Sequence, residues 1–309
     1  MVRKIILDCD PGHDDAIAIL LAGKSEKIDL LGITIASGNQ TNEKTTANAL
    51  NICNYLGINV PISSGCVGPI VKDKQDISPE IHGETGLDGP TFQEHNKKTT
   101  GIHAVNFIID TVLKSKEKVT IVITGPMTNV AMAIRLEPSI LKNIDEFVVM
   151  GGCYQLGNVT PAAEFNIYAD ADAAHIVFTS GVPVVMVGLD VTRKVLCLPS
   201  VIERMVKINN SASKLFEDLM KFFNKTQKEV FGWEGGPLHD PLTIAYLIDP
   251  SVLTTKEVYT EIDIRGVQSY GRTNCDFFGL SDKPSNTFIA VEVDVEKFWD
   301  IVEDGIKKY

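Results

Sequence analysis

The sequence predicts an α/β protein built on an open, mostly parallel β-sheet flanked by helices on both faces. Short apolar runs alternate with segments of helical periodicity from Lys4 to Val187. This β-then-α order is what parallel strands joined by helical crossovers require. Polar, glycine-containing stretches also follow most of the runs, and open parallel sheets bind their ligands beyond the carboxyl ends of the strands.

In chain order, Lys4 to Cys9 reads as a buried strand and Asp14 to Gly23 as a helix. Asp29 to Ala36 is strand-like, Glu43 to Tyr55 helical, and Val60 to Ser63 a short strand. Residues 101 to 116 look helical, Val119 to Thr124 is a strand, and Met127 to Arg135 a helix. Phe147 to Met150 is a strand, Ala171 to Thr179 a helix, and Val182 to Val187 a strand. The rest is less regular. Val201 to Phe231 reads as two helices and His239 to Leu247 as another. Tyr259 to Ile264 and Thr287 to Val293 are strand-like, and a last helix starts at Val295. No repeat, low-complexity tract or Pro/Ser-rich linker interrupts the chain, so residues 1–309 are read as a single domain.

Composition narrows the partners. The chain has 309 residues, 44% hydrophobic and 22% charged, with net charge −11. DNA or an anionic membrane would repel such a protein, whereas a cation or a neutral small substrate would not. No apolar run approaches the ~20 residues that span a bilayer. The N-terminal apolar stretch is short and runs into acids, unlike a signal peptide. Six scattered cysteines without a CxxC argue against a zinc ribbon and suit a reduced, cytoplasmic protein.

Residues 8–15 read DCDPGHDD, placing Asp8, Asp10, Asp14 and Asp15 beside the apolar Ile5-Ile6-Leu7. Each such carboxylate disfavours ionising the next. Asp8 and Asp10 are two apart and point to the same side of an extended chain. Asp14 and Asp15 open a helix, where Asp14 could act as a cap. Capping accounts for one or two acids, not four. A bound hard cation accounts for the group, and oxygen-only ligands suit Ca²⁺ or Mg²⁺. The spacing is not that of an EF-hand. A Mg²⁺-dependent phosphatase with Asp8 as nucleophile is the alternative enzyme, although no lysine partner or phosphate clamp stands nearby.

Further motifs follow in order: Ser37-Gly38-Asn39-Gln40-Thr41, His82-Gly83-Glu84-Thr85-Gly86-Leu87-Asp88-Gly89, Thr124-Gly125-Pro126, Met150-Gly151-Gly152, Ala163-Glu164-Phe165-Asn166-Ile167 and Pro237-Leu238-His239-Asp240. With DCDPGHDDAIAI, this set resembles the nucleoside hydrolases of the inosine–uridine-preferring type, and within them the bacterial pyrimidine-preferring ribonucleoside hydrolases. The resemblance covers nearly the whole chain. It implies a sheet with a Rossmann-like core and hydrolysis of the N-glycosidic bond of ribonucleosides (uridine, cytidine or inosine) to free base and ribose. It also implies one Ca²⁺ per subunit and a homo-oligomer, with a tetramer favoured. By resemblance, Asp10, Asp15, Asp240 and the carbonyl of Thr124 hold the Ca²⁺, and Asp10 takes a proton from the attacking water. Asp14, Asn39, Asn158, Glu164, Asn166 and Asp240 bind ribose hydroxyls, and Asp8 supports the metal site.

These residue types suit the reaction. Glycosidic cleavage passes through an oxocarbenium-like transition state, which carboxylates and amide oxygens stabilise. The leaving base needs a donor. His239 precedes Asp240 and is the expected proton donor, with His82 as a second base contact. Gln227 and Phe231 are expected to touch the base, and Phe231 stands where the pyrimidine-preferring relatives carry Tyr. His13, His95, His103 and His175 are read as surface or structural residues, and Cys9 and Cys153 as packing. A non-catalytic nucleoside-binding protein is disfavoured because Asp10 and His239 are both present.

Overall fold

The computed structural model describes residues 2–309. Its strands are β1 (Arg3–Cys9), β2 (Ile28–Ile35), β3 (Ile62–Ser64), β4 (Val119–Ile123), β5 (Ile144–Met150), β6 (Val184–Val187), β7 (Leu196–Cys197), β8 (Gly236–Pro237), β9 (Leu253–Ile262), β10 (Thr273–Asp276) and β11 (Thr287–Val293). Its α-helices are α1 (His13–Lys24), α2 (Asn42–Tyr55), α3 (Pro79–His82), α4 (Ala104–Lys114), α5 (Thr128–Leu136), α6 (Phe165–Ala169), α7 (Ala171–Phe178), α8 (Leu189–Thr192), α9 (Pro199–Val206), α10 (Ser211–Phe231), α11 (Pro241–Ile248) and α12 (Val295–Ile306).

Nine strands form one sheet in the order β3-β2-β1-β4-β5-β6-β11-β9-β10. The pairings from β3 through β11 are parallel, and β9 runs antiparallel to both β11 and β10. β7 and β8 make a separate antiparallel pair. The chain leaves β1 toward β2 and β3, then returns through α4 to place β4 on the other side of β1. Connections therefore diverge above the β1–β4 pair and open a crevice at its carboxyl end. Asp8 pairs with Ile123 across this seam, so the residues after each strand become neighbours.

Strand alternation explains why the sheet is covered twice. Ile5, Leu7, Val122 and Val148 face one core with α1, α10, α11 and α12. Ile6, Ile121, Ile123, Phe147 and Val149 face the other, with α4, α5 and α7. Each such side chain contributes about 1.5–3 kcal/mol by leaving water. α1 is buried from His13 through Ala22, because it is packed among α2, α10, α11 and α12 and has no solvent face.

The predicted elements are present with shifted ends. The helix expected over 101–116 is Ala104–Lys114, and the strand expected from Phe147 starts at Ile144. The Val201–Phe231 stretch is broken after α9, where Asn209 takes a positive φ of 56°. The strand expected at Tyr259–Ile264 is instead Leu253–Ile262, whose exposed Thr254–Glu257 hide its apolar pattern. β10 was not foreseen; Thr-Asn-Cys-Asp carries no apolar period. No helix among the described residues is long and apolar enough to cross a membrane.

Candidate active site

A cavity of about 310 Å³ lies at the carboxyl end of the parallel strands. That is the size of a small-molecule site. Thr124 follows β4, Met150 ends β5, and Leu189 and Arg193 come from and just after α8. Phe223, Gln227 and Phe231 come from α10. Asp14, Asn39, His82, Thr124, Asn158, Glu164, Asn166, Gln227, Phe231, His239 and Asp240, all expected from the sequence, line it. Asp10 and Asp15 are fully buried behind this lining.

The acids are brought together by the turn after β1 and the start of α11. Asp14, Asp15 and Asp240 offer carboxylate oxygens within 4.8 Å of one another. Asp14 therefore belongs to the tight trio, and Asp10 lies outside it. Asp10 is turned toward the β2 end, where Oδ2 accepts the Asn39 N–H at 2.6 Å. It sits between Gly38 and Gly125, and a Cβ on either would collide with its carboxylate. The start of α1 is served by Asp15 rather than Asp14. Asp15 Oδ2 accepts the Gly12 N–H at 3.0 Å, because its position in the first turn faces back along the helix. Asp15 Oδ1 accepts the Thr124 hydroxyl at 2.8 Å, tying α1 to β4.

Burial governs the charges here. It pushes the carboxyl of Asp14 up to about 7, and Asp10, Asp15 and Asp240 also rise, with neighbouring acids adding to the rise of Asp10 and Asp240. Asp10 Oδ1 and Asp14 Oδ1 are buried without a hydrogen-bond partner. Such atoms are costly unless something positive meets them. The all-oxygen donor set and the orphaned oxygens fit a hard divalent cation.

Asp8 has another place. Its side chain faces α5, and Oδ1 accepts from Thr34 and from Asn129 Nδ2 at 3.0 Å. Asp8 and Asp10 do not point to one side, because β1 ends at Cys9 and Asp10 lies in the turn beyond it. Asp8 is thus held by Thr34 and Asn129, apart from the Asp14, Asp15 and Asp240 trio. Arg193 is the lysine or arginine that lines the cavity, and its terminal nitrogens donate to the carbonyls of Leu156 and Gly157.

The amide-bearing residues are partly engaged. Asn39 Nδ2 donates to the Asp10 carbonyl at 3.1 Å and to Asp15 Oδ2 at 3.2 Å. Asn158 Oδ1 accepts the Phe165 N–H, leaving its amide N–H groups for a ligand. Asn166 Nδ2 donates to the Thr124 carbonyl at 2.7 Å, which occupies one of that oxygen's two lone pairs. Glu164 is first an N-cap for α6, accepting from the N–H groups of Asn166, Ile167 and Gly152. Burial still pushes its carboxyl up to about 7.

Imidazole, amide and aromatic groups complete the lining. His239 Nδ1 lies 2.7 Å from the Thr192 hydroxyl. Burial, with Arg193 nearby, pushes His239 down to about 3, so the ring is neutral. His82 Nδ1 lies 3.2 Å from Nδ1 of His13, whose Nε2 lies 2.7 Å from the Asp88 carbonyl. His13 is thus no surface residue: it is fully buried and stacks on Phe222 and Phe223. Gln227 Oε1 is buried without a partner. At the rim, Phe231 stacks on Trp233 at 4.9 Å between centroids. The sequence reading missed Phe223, Trp233, Arg193 and Thr192. Trp233, one of two tryptophans and two residues after Phe231, was the one with a visible signal.

All six cysteines are free, and Cys9 and Cys153 are packed in the interior.

Known proteins resemble this chain over nearly its whole length. Residues 5–300 match the family described as inosine-uridine preferring nucleoside hydrolase. The chain is 52% identical to the pyrimidine-specific ribonucleoside hydrolase RihB of Escherichia coli O9:H4, over 99% of this chain and 98% of that one. Among solved structures it is similar to a purine-preferring ribonucleoside hydrolase from Gardnerella vaginalis, with TM-score 0.91, 36% identity and 99% of each chain covered. It is also similar to a plant nucleoside hydrolase, with TM-score 0.92, 29% identity and 99% of each chain covered.

Proposed function

The chain belongs to the inosine-uridine preferring nucleoside hydrolase family and is a ribonucleoside hydrolase, and from that premise we propose that it cleaves pyrimidine ribonucleosides, uridine and cytidine, to base and ribose. One observation carries the assignment of roles. A single cavity is lined both by acids and amides and by histidines, glutamine and aromatic rings. The first set suits a ribose whose ring becomes positive, and the second suits a departing heterocycle.

On this reading Asp10, Asp15, Asp240 and the Thr124 carbonyl would hold a Ca²⁺, with Asp14 beside it. When bound, the ion polarises water and neutralises the buried acids. Asp10 accepts the proton of the attacking water; its partnerless Oδ1 is the atom available for it. Asp14, Asn158, Glu164, Asn166 and Asp240 receive the ribose hydroxyls and set the anomeric carbon against the water. Asn39 contributes by holding Asp10 and Asp15. His239, neutral at working pH, assists the base through its one N–H, and His82 and Gln227 contact the base edge. Phe231 and Trp233 close the outer side.

The 52% identical relative is named pyrimidine-specific, which favours pyrimidines over purines here. Residues 1–309 are read as one domain, acting in the cytoplasm in nucleoside catabolism and salvage without nucleic-acid or membrane partners. The exposed Phe278 and Leu280 are consistent with a homo-oligomer, for which we favour a tetramer.

The test is base release from uridine, cytidine, inosine and 2′-deoxyuridine, each before and after chelation and again with Ca²⁺ restored. Fast release from uridine and cytidine, slow release from the deoxy analogue and recovery with Ca²⁺ are expected. Faster release from inosine than from uridine would overturn the pyrimidine assignment. Full activity after exhaustive chelation would overturn the metal assignment.

A further inference from the structure

Thr192 is fully buried at the end of α8, and the side chain of His239 is its hydroxyl's one hydrogen-bond partner among the described residues. A buried hydroxyl needs an acceptor for its hydrogen, and His239 Nδ1 at 2.7 Å is the acceptor in reach. Nδ1 must then carry a lone pair. A neutral imidazole has one N–H, which is left on Nε2. The opposite tautomer would strand the hydroxyl hydrogen and turn a lone pair toward the electron-rich leaving base. The position of Thr192 is itself fixed. The next residue, Arg193, donates to the carbonyls of Leu156 at 2.8 Å and Gly157 at 2.7 Å, bolting the end of α8 to the loop that carries Asn158.

We propose that Thr192 is a positioning residue that locks His239 in the Nε2–H tautomer and so makes it a standing hydrogen-bond donor to the departing base. The inference rests on the reading of His239 given above. As the glycosidic C–N bond breaks, its electron pair goes to the base, and the water oxygen bonds to C1′. The proton lost by water passes to Asp10 and on to solvent, and the base takes up a proton from solvent. The Nε2–H bond stabilises the electron pair on the base without leaving His239, so the imidazole never becomes an anion.

The experiment compares Thr192→Val, which keeps the shape and removes the hydroxyl, with Thr192→Ser and His239→Ala. Substrates are uridine and 4-nitrophenyl β-D-ribofuranoside, whose leaving group departs without a donor. Thr192→Val is expected to lower kcat on uridine about 10- to 100-fold. KM and the nitrophenyl rate should stay within about twofold, and Thr192→Ser should restore most of the loss. Loss of His239→Ala activity on uridine with none in Thr192→Val would overturn this inference alone. Full activity in His239→Ala would remove the reading beneath it as well. An equal loss on both substrates in Thr192→Val would show disturbed packing and also overturn it. If Thr192→Val does not fold, ¹⁵N correlation spectra of the wild-type imidazole decide. A protonated Nε2 on His239 supports the assignment, and a protonated Nδ1 overturns it.

Discussion

Asn39 grips Asp10 at two points: its backbone N–H donates to Oδ2 at 2.6 Å, and its side-chain amide donates to the Asp10 carbonyl at 3.1 Å. The grip fixes one carboxylate oxygen and leaves the other buried and partnerless. Asp10→Asn would keep the shape but could not accept a proton. It is expected to lower kcat on uridine by about 10²- to 10⁴-fold. The same change removes a buried like charge, so the melting temperature of the chelated protein should rise. A chelated variant that melts below wild type would contradict the charge argument.

The metal-free protein should lose stability as pH rises. Burial raises Asp8 and Asp14 from 3.8 to about 7. Their folded pKa values exceed the unfolded ones, so the stabilisation is complete below about pH 4 and is lost as pH climbs through about 7. A bound cation holds Asp14 ionised and cancels its share of this slope. Thermal melts from about pH 5 to about pH 8, with chelator and with Ca²⁺, should therefore diverge as pH increases. A constant gap would argue against metal at these acids.

Gln227 Oε1 is a buried acceptor without a protein partner on the wall of the cavity. Gln227→Leu should lower kcat/KM on uridine about 10- to 100-fold, mainly through KM, the range expected for one unmade buried hydrogen bond. The nitrophenyl riboside, which lacks the base edge, should be spared. Equal losses on both would assign Gln227 to packing.

Phe231 is 42% exposed and rests on Trp233. Phe231→Tyr adds a hydroxyl at the rim. The ratio of kcat/KM for cytidine over uridine should shift by about 3- to 10-fold, the worth of a single solvent-competed hydrogen bond. An unchanged ratio would place the ring outside base selection.

Asn129 is fully buried and joins three segments. Nδ2 donates to Asp8 Oδ1 and to the Ile35 carbonyl, and Oδ1 accepts the Cys66 N–H. Asn129→Ala leaves the Cys66 N–H unpaired, while Thr34 and Asn42 still donate to Asp8 Oδ1 and the Ile35 carbonyl, and should cost about 1–3 kcal/mol in urea unfolding. Among molecules still folded, kcat should hold, since Asn129 does not line the cavity.

Much of this was legible because the site sits where strands end. Thr124 and Asn39 follow apolar runs, so locating β4 and β2 located them. The tight turn of Asp14 and Asp15 was visible in the same way. What escaped notice depends on contacts distant in sequence. His13 looks like a loop residue until α10 brings Phe222 and Phe223 against it. Thr192 has no local mark; it matters because His239, 47 positions away, returns to it. Asp8 was misdirected by carrying the alternation of an extended chain one residue past the strand end at Cys9, where the turn to α1 begins. β10 escaped because an edge strand needs no buried stripe.

The seat of Asp10 between Gly38 and Gly125 bears on how this enzyme can be varied. Neither glycine has a positive φ, so backbone conformation does not demand one at either place. The demand is for empty volume. A scan ranking glycines by dihedral angle would pass Gly38→Ala and Gly125→Ala as harmless, yet each added methyl would land on the carboxylate. Such variants would fold and fail in turnover, and directed-evolution libraries should leave both codons untouched.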